Sequence, residues 1–133
     1  MSDRRIERLE KQVEELRALL TSVILSVNFH EDLPFESEMA RREVAGERRA
    51  ALNLVLACIA ARSRGETPSR VRNSRMLEQF PVLELAQSPA AIDLDEAIAL
   101  VADLVGSRDA ALDVLKAHKA AGFGAETYRV LGL

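Results

Sequence analysis

A seven-residue apolar repeat near the N-terminus constrains this chain more than any other feature. Its apolar residues recur at alternating spacings of three and four: Ile6, Leu9, Val13, Leu16, Leu20, Val23 and Val27. This spacing places the side chains along one narrow stripe of an α-helix, which is the pattern of a coiled-coil seam. The sequence therefore predicts that residues 1–28 form a coiled-coil helix that associates through this stripe.

The residues of the repeat favour a second copy of the chain as the partner, arranged as a dimer. Mostly β-branched residues at the first apolar position of each heptad, with leucine at the fourth, are typical of two parallel strands. In such a pair Arg5 would face Glu10 of the other helix, and residues 3–17 are highly charged outside the seam. The alternative is an amphipathic first helix that packs the same stripe against its own domain.

Composition predicts that the rest of the chain is also helical. Of the 133 residues, 48% are hydrophobic and only 4% are aromatic, and alanine and leucine together supply over a quarter. A chain of this length buries roughly two thirds of its unfolded surface, so it needs neither disulfides nor metal to hold a core. The predicted fold is all-α, with the coiled-coil helix leading into a small bundle of five to six helices over residues 29–133.

The first part of this body is expected to contain a corner and one long helix. A proline between two aromatic residues predicts the corner at residues 29–35. Residues 37–62 predict a second helix, in which Gly46 marks a kink or a break. Its second half, residues 50–61, is apolar on nearly all sides and should form the core of the body, with Cys58 as a small buried hydrophobe.

Shorter elements are expected after residue 73. Ser74 should start a short helix that ends before Pro81, and residues 82–85 would be the only extended piece. Ser88 and Pro89 resemble a helix start. A second start signal follows at residues 93–96, which resemble a capping box. A turn at residues 106–107 then joins two antiparallel helices.

Residues 62–75 mark the one abrupt change in composition. They contain glycine, proline and serine with five arginines and a single glutamate, and residues 41–75 together carry a net charge of +6. The sequence predicts a loop whose arginines contact a partner or pair with acidic residues of the same chain: Arg62, Arg64, Arg70, Arg72 and Arg75. An acidic protein surface and nucleic-acid phosphates are both open as partners. Against nucleic acid stand the lack of aromatic residues in this segment and the net charge of −3.

The residue pattern offers little support for catalysis. The two histidines lie 88 positions apart with no nucleophile beside them, and His118 is expected on the surface. No glycine-rich phosphate loop, nucleophile elbow or zinc-protease motif is present. One cysteine excludes an intramolecular disulfide and a cysteine-cluster metal site. We therefore expect no enzymatic activity, no catalytic residue, no cofactor and no metal.

These observations predict a non-enzymatic, self-associating helical protein that acts as an adaptor, assembly factor or regulator through protein–protein contacts. The competing hypothesis is a nucleic-acid-associated protein that uses residues 62–75. No apolar run is long enough to span a membrane, and the charged start of the chain does not resemble a signal peptide. We expect a cytoplasmic protein with no membrane contact.

Overall fold

The computed structural model describes residues 3–29 and 33–133, with only the backbone described for residues 22 and 24–29. The described residues form eight helices and no strand. They are α1 (Asp3–Phe29), α2 (Pro34–Arg41), α3 (Gly46–Ser63), α4 (Ser74–Gln79), α5 (Val82–Ala86), α6 (Leu94–Val105), α7 (Arg108–Ala120) and α8 (Ala125–Leu131). The all-α prediction is confirmed, with more and shorter helices than expected. No helix in this described part is both long and apolar enough to cross a membrane.

Helix α3 lies at the centre of the body, as its apolar second half predicted. It contacts α1, α5, α6 and α8. The side chains of Leu52, Val55 and Ile59 are fully buried against these helices, and Cys58 is buried beside them. The free thiol therefore behaves as the small core hydrophobe that the sequence indicated.

The single long helix predicted over residues 37–62 is wrong, because two residues in its middle adopt left-handed backbone. Glu43 has φ of 55° and Gly46 has φ of 62°. The Val44 amide donates to the Met39 carbonyl at 2.9 Å, which closes the end of α2. The Val44 side chain is fully buried and anchors this turn in the core. The break falls at the glycine that the sequence marked as a kink.

The extended piece predicted at residues 82–85 is also wrong, since this segment is the short helix α5. Pro81 precedes it with φ of −57°, an angle that suits a helix start. Val82, Leu83 and Ala86 are buried, and α5 packs against α3. One helical turn places these three side chains on the same side of α5. The segment is too short for its apolar residues to show a helical repeat in the sequence, so packing against the core determines its structure.

The hairpin of α6 and α7 follows the capping signals in the sequence. The Asp93 carboxylate accepts the Glu96 amide at 2.8 Å, Gly106 ends α6 with φ of 102°, and the Ser107 hydroxyl caps α7. The helix start predicted at Ser88 is wrong, because α6 begins only after Asp93. The residues between them are irregular, and one of their carbonyls binds an arginine described below.

The first corner is only partly described. Of the residues predicted to form it, 30–32 lie outside the described residues. Helix α1 ends at Phe29 and α2 begins at Pro34, the position in a helix where proline is best tolerated. The two helices pack against each other.

Helix α1 also approaches the first turn of α3 closely. A Cβ atom placed on Gly46 would lie only 2.7 Å from Cγ of Glu15. One turn away, the Lys11 ammonium lies 2.8 Å from a Glu47 carboxylate oxygen. Two features therefore favour glycine at position 46: its left-handed backbone and the space it leaves for the Glu15 side chain of α1.

Replacing Gly46 with alanine should lower the free energy of unfolding by about 1–2 kcal/mol through left-handed backbone strain, with a further loss from the contact with Glu15. Gly65→Ala is the matched control, because Gly65 has φ of 75° but no atom within 4 Å of the added Cβ. Urea denaturation should show the larger loss for Gly46→Ala, and Glu15→Ala should remove the difference. Equal losses for the two glycine variants would contradict the close approach of α1.

Candidate interaction surfaces

The apolar stripe of α1 is exposed along its described length. The exposed fractions run from 40% at Val23 to 64% at Leu16. The exposed members of the stripe are Ile6, Leu9, Val13, Leu16, Leu20 and Val23. The side chain of Val27 lies outside the described residues. We call these six residues the α1 seam, and each keeps at least 40% of its surface exposed in the single chain.

A different side of α1 faces the body. Lys11 and Glu15 contact the first turn of α3. Because an α-helix turns once in about 3.6 residues, these two side chains lie on a different side from the seam. The body therefore holds α1 in an orientation that leaves the seam outward.

One carboxylate connects α1 with two other helices. Glu47, in the first turn of α3, pairs with Lys11 of α1. Arg75, at the start of α4, is 3.9 Å from the other carboxylate oxygen of Glu47. The Lys11 ammonium, with smaller contributions from Gln79 and Arg75, lowers the pKa of Glu47 against the opposing effect of desolvation. Glu47 thus stays ionised where α1, α3 and α4 meet.

Arg62 takes the second of the two roles predicted for this segment, since it is buried and pairs with an acidic residue of its own chain. Its exposed fraction is 3%. The guanidinium donates to the Ala90 carbonyl at 2.8 Å and to the Ala86 carbonyl at 3.4 Å, and it also pairs with Glu96. Arg62 therefore fastens the irregular segment before α6 to the end of α3, and it has a structural role.

The other four arginines of the segment differ in their surroundings. Arg64 pairs with Glu66 at 3.2 Å, and Arg75 approaches Glu47 as described above. Arg70 and Arg72 are exposed and make no ion pair with any residue in the described ranges. Of the five arginines, Arg70 and Arg72 are therefore exposed without a carboxylate partner among the described residues, and they lie close together in sequence.

His118 is another correction, because it lies half-buried in an aromatic cluster instead of on the open surface. Its Nδ1 is 2.7 Å from the Tyr128 hydroxyl. Its ring stacks on Phe123 at 5.2 Å and meets the edge of Phe35 at 5.0 Å. Burial lowers the pKa of His118 and raises the pKa of Tyr128. The cluster joins α2, α7 and α8 through packing.

The side chain of Cys58 is buried in the core. Burial raises the pKa of the Cys58 thiol against a smaller opposing effect of Arg62, so the thiol stays protonated. Across residues 3–29 and 33–133, no three histidine, cysteine or acidic side chains are grouped to hold a metal ion. The prominent surfaces are therefore the α1 seam and the arginine-bearing segment.

Comparisons with known proteins identify no relative of this chain. No protein-family model, curated protein or solved structure matches it.

Arg62→Met should lower the free energy of unfolding by about 1–3 kcal/mol, because two carbonyls lose their charged donor. Methionine retains much of the aliphatic volume. The matched control is Arg64→Met, which removes an exposed ion pair and should change stability by less than about 0.5 kcal/mol. Urea denaturation followed by circular dichroism compares the two. Effects of equal size would show that Arg62 is not the anchor described here.

The pH dependence of folding tests the environment of His118. Because burial lowers its pKa in the folded chain, the unfolded chain takes up the proton first as the pH falls through the ordinary histidine range near about 6.5. Stability should therefore fall between about pH 7 and pH 5. His118→Phe keeps an aromatic ring and should make this fall shallower. Identical slopes in the two proteins, measured by urea denaturation, would contradict the assignment.

Proposed function

We propose that this chain is a non-enzymatic adaptor, assembly or regulatory protein that forms a dimer through the α1 seam. The proposal is based on one observation: six seam side chains are exposed on a helix whose other side contacts the body. A contiguous apolar surface on a protein in water is typical of an interaction site. Partner proteins would then bind the helical body.

The spacing of the seam residues suggests that the partner that packs on them is another helix. Alternating spacings of three and four let the side chains of one helix insert between those of a second helix with the same period. A second copy of α1 supplies that period. In a parallel pair, Arg5 of each copy meets Glu10 of the other, so twofold symmetry generates the favourable charge pair twice. Charge and shape thus both favour self-association.

Dimer formation would give the body a functional advantage. Two bodies on one coiled coil raise the effective concentration of the second binding event once the first has occurred. This arrangement suits a partner that is itself repeated. We place the protein in the cytoplasm, a proposal supported by its unpaired, buried cysteine, which suits a reducing compartment.

The nucleic-acid alternative has weaker support. It was based on five arginines, of which Arg62 is buried and Arg64 faces Glu66. Phosphate binding gains from each additional cation, so the loss of these two reduces the electrostatic attraction. We therefore favour protein partners.

Charging the seam tests the proposal. The double variant Val13→Glu/Leu16→Glu should convert a dimer into a monomer of 14.7 kDa, because four carboxylates would meet in the paired seam. The matched control is Arg8→Gln/Thr21→Glu, which changes the net charge equally at exposed positions of α1 outside the seam. Light scattering after size exclusion should give twice the monomer mass for wild type and for the control.

A monomeric wild-type protein, or a seam variant that retains the dimer mass, would refute self-association through the seam. Far-UV circular dichroism and thermal melting check that the variants remain folded, which is expected since the substituted side chains are exposed in the single chain. Measuring mass at two salt concentrations, with the absorbance ratio of the purified protein, tests the alternative. Nucleic acid that co-purifies and is released by salt would favour it.

A further inference from the structure

A second surface lies beside the segment that joins α3 to α4. It is a groove of about 670 Å³ between the exposed side of α3, the joining segment and the start of α4. Its lining includes Ala50, Asn53 and Leu54 of α3, residues 69–73, and Met76 of α4. We call this the α3 groove.

The floor of the α3 groove is aliphatic. Leu54, Val71 and Met76 line it, and each is partly buried where it packs against the hydrophobic core. Ala50 and Asn53, on the exposed side of α3, are small. An apolar side chain of a ligand would therefore find aliphatic contacts on the floor without displacing a bulky residue.

The rim of the groove is cationic. Arg70 and Arg72 both line it, and both are exposed. Neither forms an ion pair with any residue that the structure describes. Arg42, by contrast, is paired with Asp113 at 2.6 Å. Two neighbouring guanidinium groups thus remain for an external anion.

The wall that carries these arginines is fixed in place. The Val71 amide donates to the Gln87 side-chain oxygen at 2.7 Å, and the Gln87 amide nitrogen donates to the Leu83 carbonyl at 2.9 Å. Pro68 is buried at one end of the wall, and the Asn73 side chain caps α4 at the other. Because the wall is held in advance, binding requires little ordering of backbone.

We propose that the α3 groove binds an acidic segment of another protein. An apolar side chain of the segment would lie on the floor, and its carboxylates would pair with Arg70 and Arg72. Guanidinium and carboxylate groups form charge-assisted and often bidentate hydrogen bonds, which suits recognition at such a rim. The site is complete within one chain, so this proposal does not depend on dimer formation through the α1 seam.

The chemistry of the groove favours a peptide over nucleic acid. Proteins that bind single strands combine a cationic groove with aromatic side chains for base stacking. The residues that line the α3 groove include no aromatic side chain, and its floor is aliphatic. Two guanidinium groups also fall short of the several phosphate contacts that give nucleic-acid binding its strength.

Selection from a displayed library of random twelve-residue peptides tests the proposal. The targets are the wild-type chain, Arg70→Glu/Arg72→Glu, and the control Lys116→Glu/Arg129→Glu, which changes the net charge equally at exposed positions on α7 and α8. Wild type and control should enrich peptides in which aspartate or glutamate flanks leucine, isoleucine or phenylalanine. The rim variant should not enrich them.

The most enriched peptide is then titrated by fluorescence anisotropy beside a single-stranded thymidine oligonucleotide. Loss of one charge-assisted hydrogen bond weakens binding by about tenfold or more, so the rim variant should bind the peptide at least that much more weakly. Leu54→Asn, on the floor, should weaken it too. Melting temperatures check that each variant is folded, and Arg70→Gln/Arg72→Gln provides a milder rim variant.

Three results would overturn the proposal: no enrichment of acidic peptides on wild type, equal enrichment on the folded rim variants, or tighter binding of the oligonucleotide than of the peptide. The last would assign the groove to nucleic acid. The monomeric seam variant Val13→Glu/Leu16→Glu should bind the peptide with unchanged affinity per chain. Its behaviour separates a failure of this proposal from a failure of dimer formation.

Discussion

The contact between α1 and the first turn of α3 is the constraint on which the two surfaces depend. Gly46 lets α1 approach, and the Lys11–Glu47 ion pair lies on the side of α1 that faces α3. An ion pair that is partly open to water contributes little free energy, so the packing of α1 against α2 and α3 carries most of this orientation. Because Glu47 also attracts Arg75, the same carboxylate helps position the start of α4, next to the α3 groove.

Local signals in the sequence predicted the elements that they control, and long-range packing determined the rest. Helix α6 begins after Asp93, whose side chain caps it, and ends at Gly106, whose backbone is left-handed. Both effects act within a few residues, so the two ends of the helix could be predicted directly from the sequence. The break before α3 depends on burial of Val44 in a core formed by distant helices. The chain has no helix over residues 64–73, whereas Arg62 belongs to α3, and composition alone could not separate Arg62 from its neighbours. The sequence did contain a clue to its burial, because helical spacing places Arg62 on the same side of α3 as the buried Val55.

The two proposed surfaces would act together. The α1 seam would join two chains, and each chain would then contribute one α3 groove. Two grooves on one dimer favour a ligand that presents more than one acidic segment, because binding of the first raises the effective concentration of the second. An adaptor with this design gains avidity from weak individual contacts, and its partner is selected by the charge pattern around the apolar anchor.

If two chains pair through the exposed seam, its side chains become buried, and the rate of thiol alkylation measures this burial directly. Single cysteines are placed at Leu16 in the seam and at Thr21 outside it, each in a Cys58→Ser background. Both side chains are exposed in the isolated chain, so both thiols should react rapidly at low protein concentration. As the protein concentration rises, the thiol at position 16 should become protected from alkylation while the thiol at position 21 keeps its rate. Equal alkylation rates at every concentration would show that the seam stays exposed and that the chains do not pair through it.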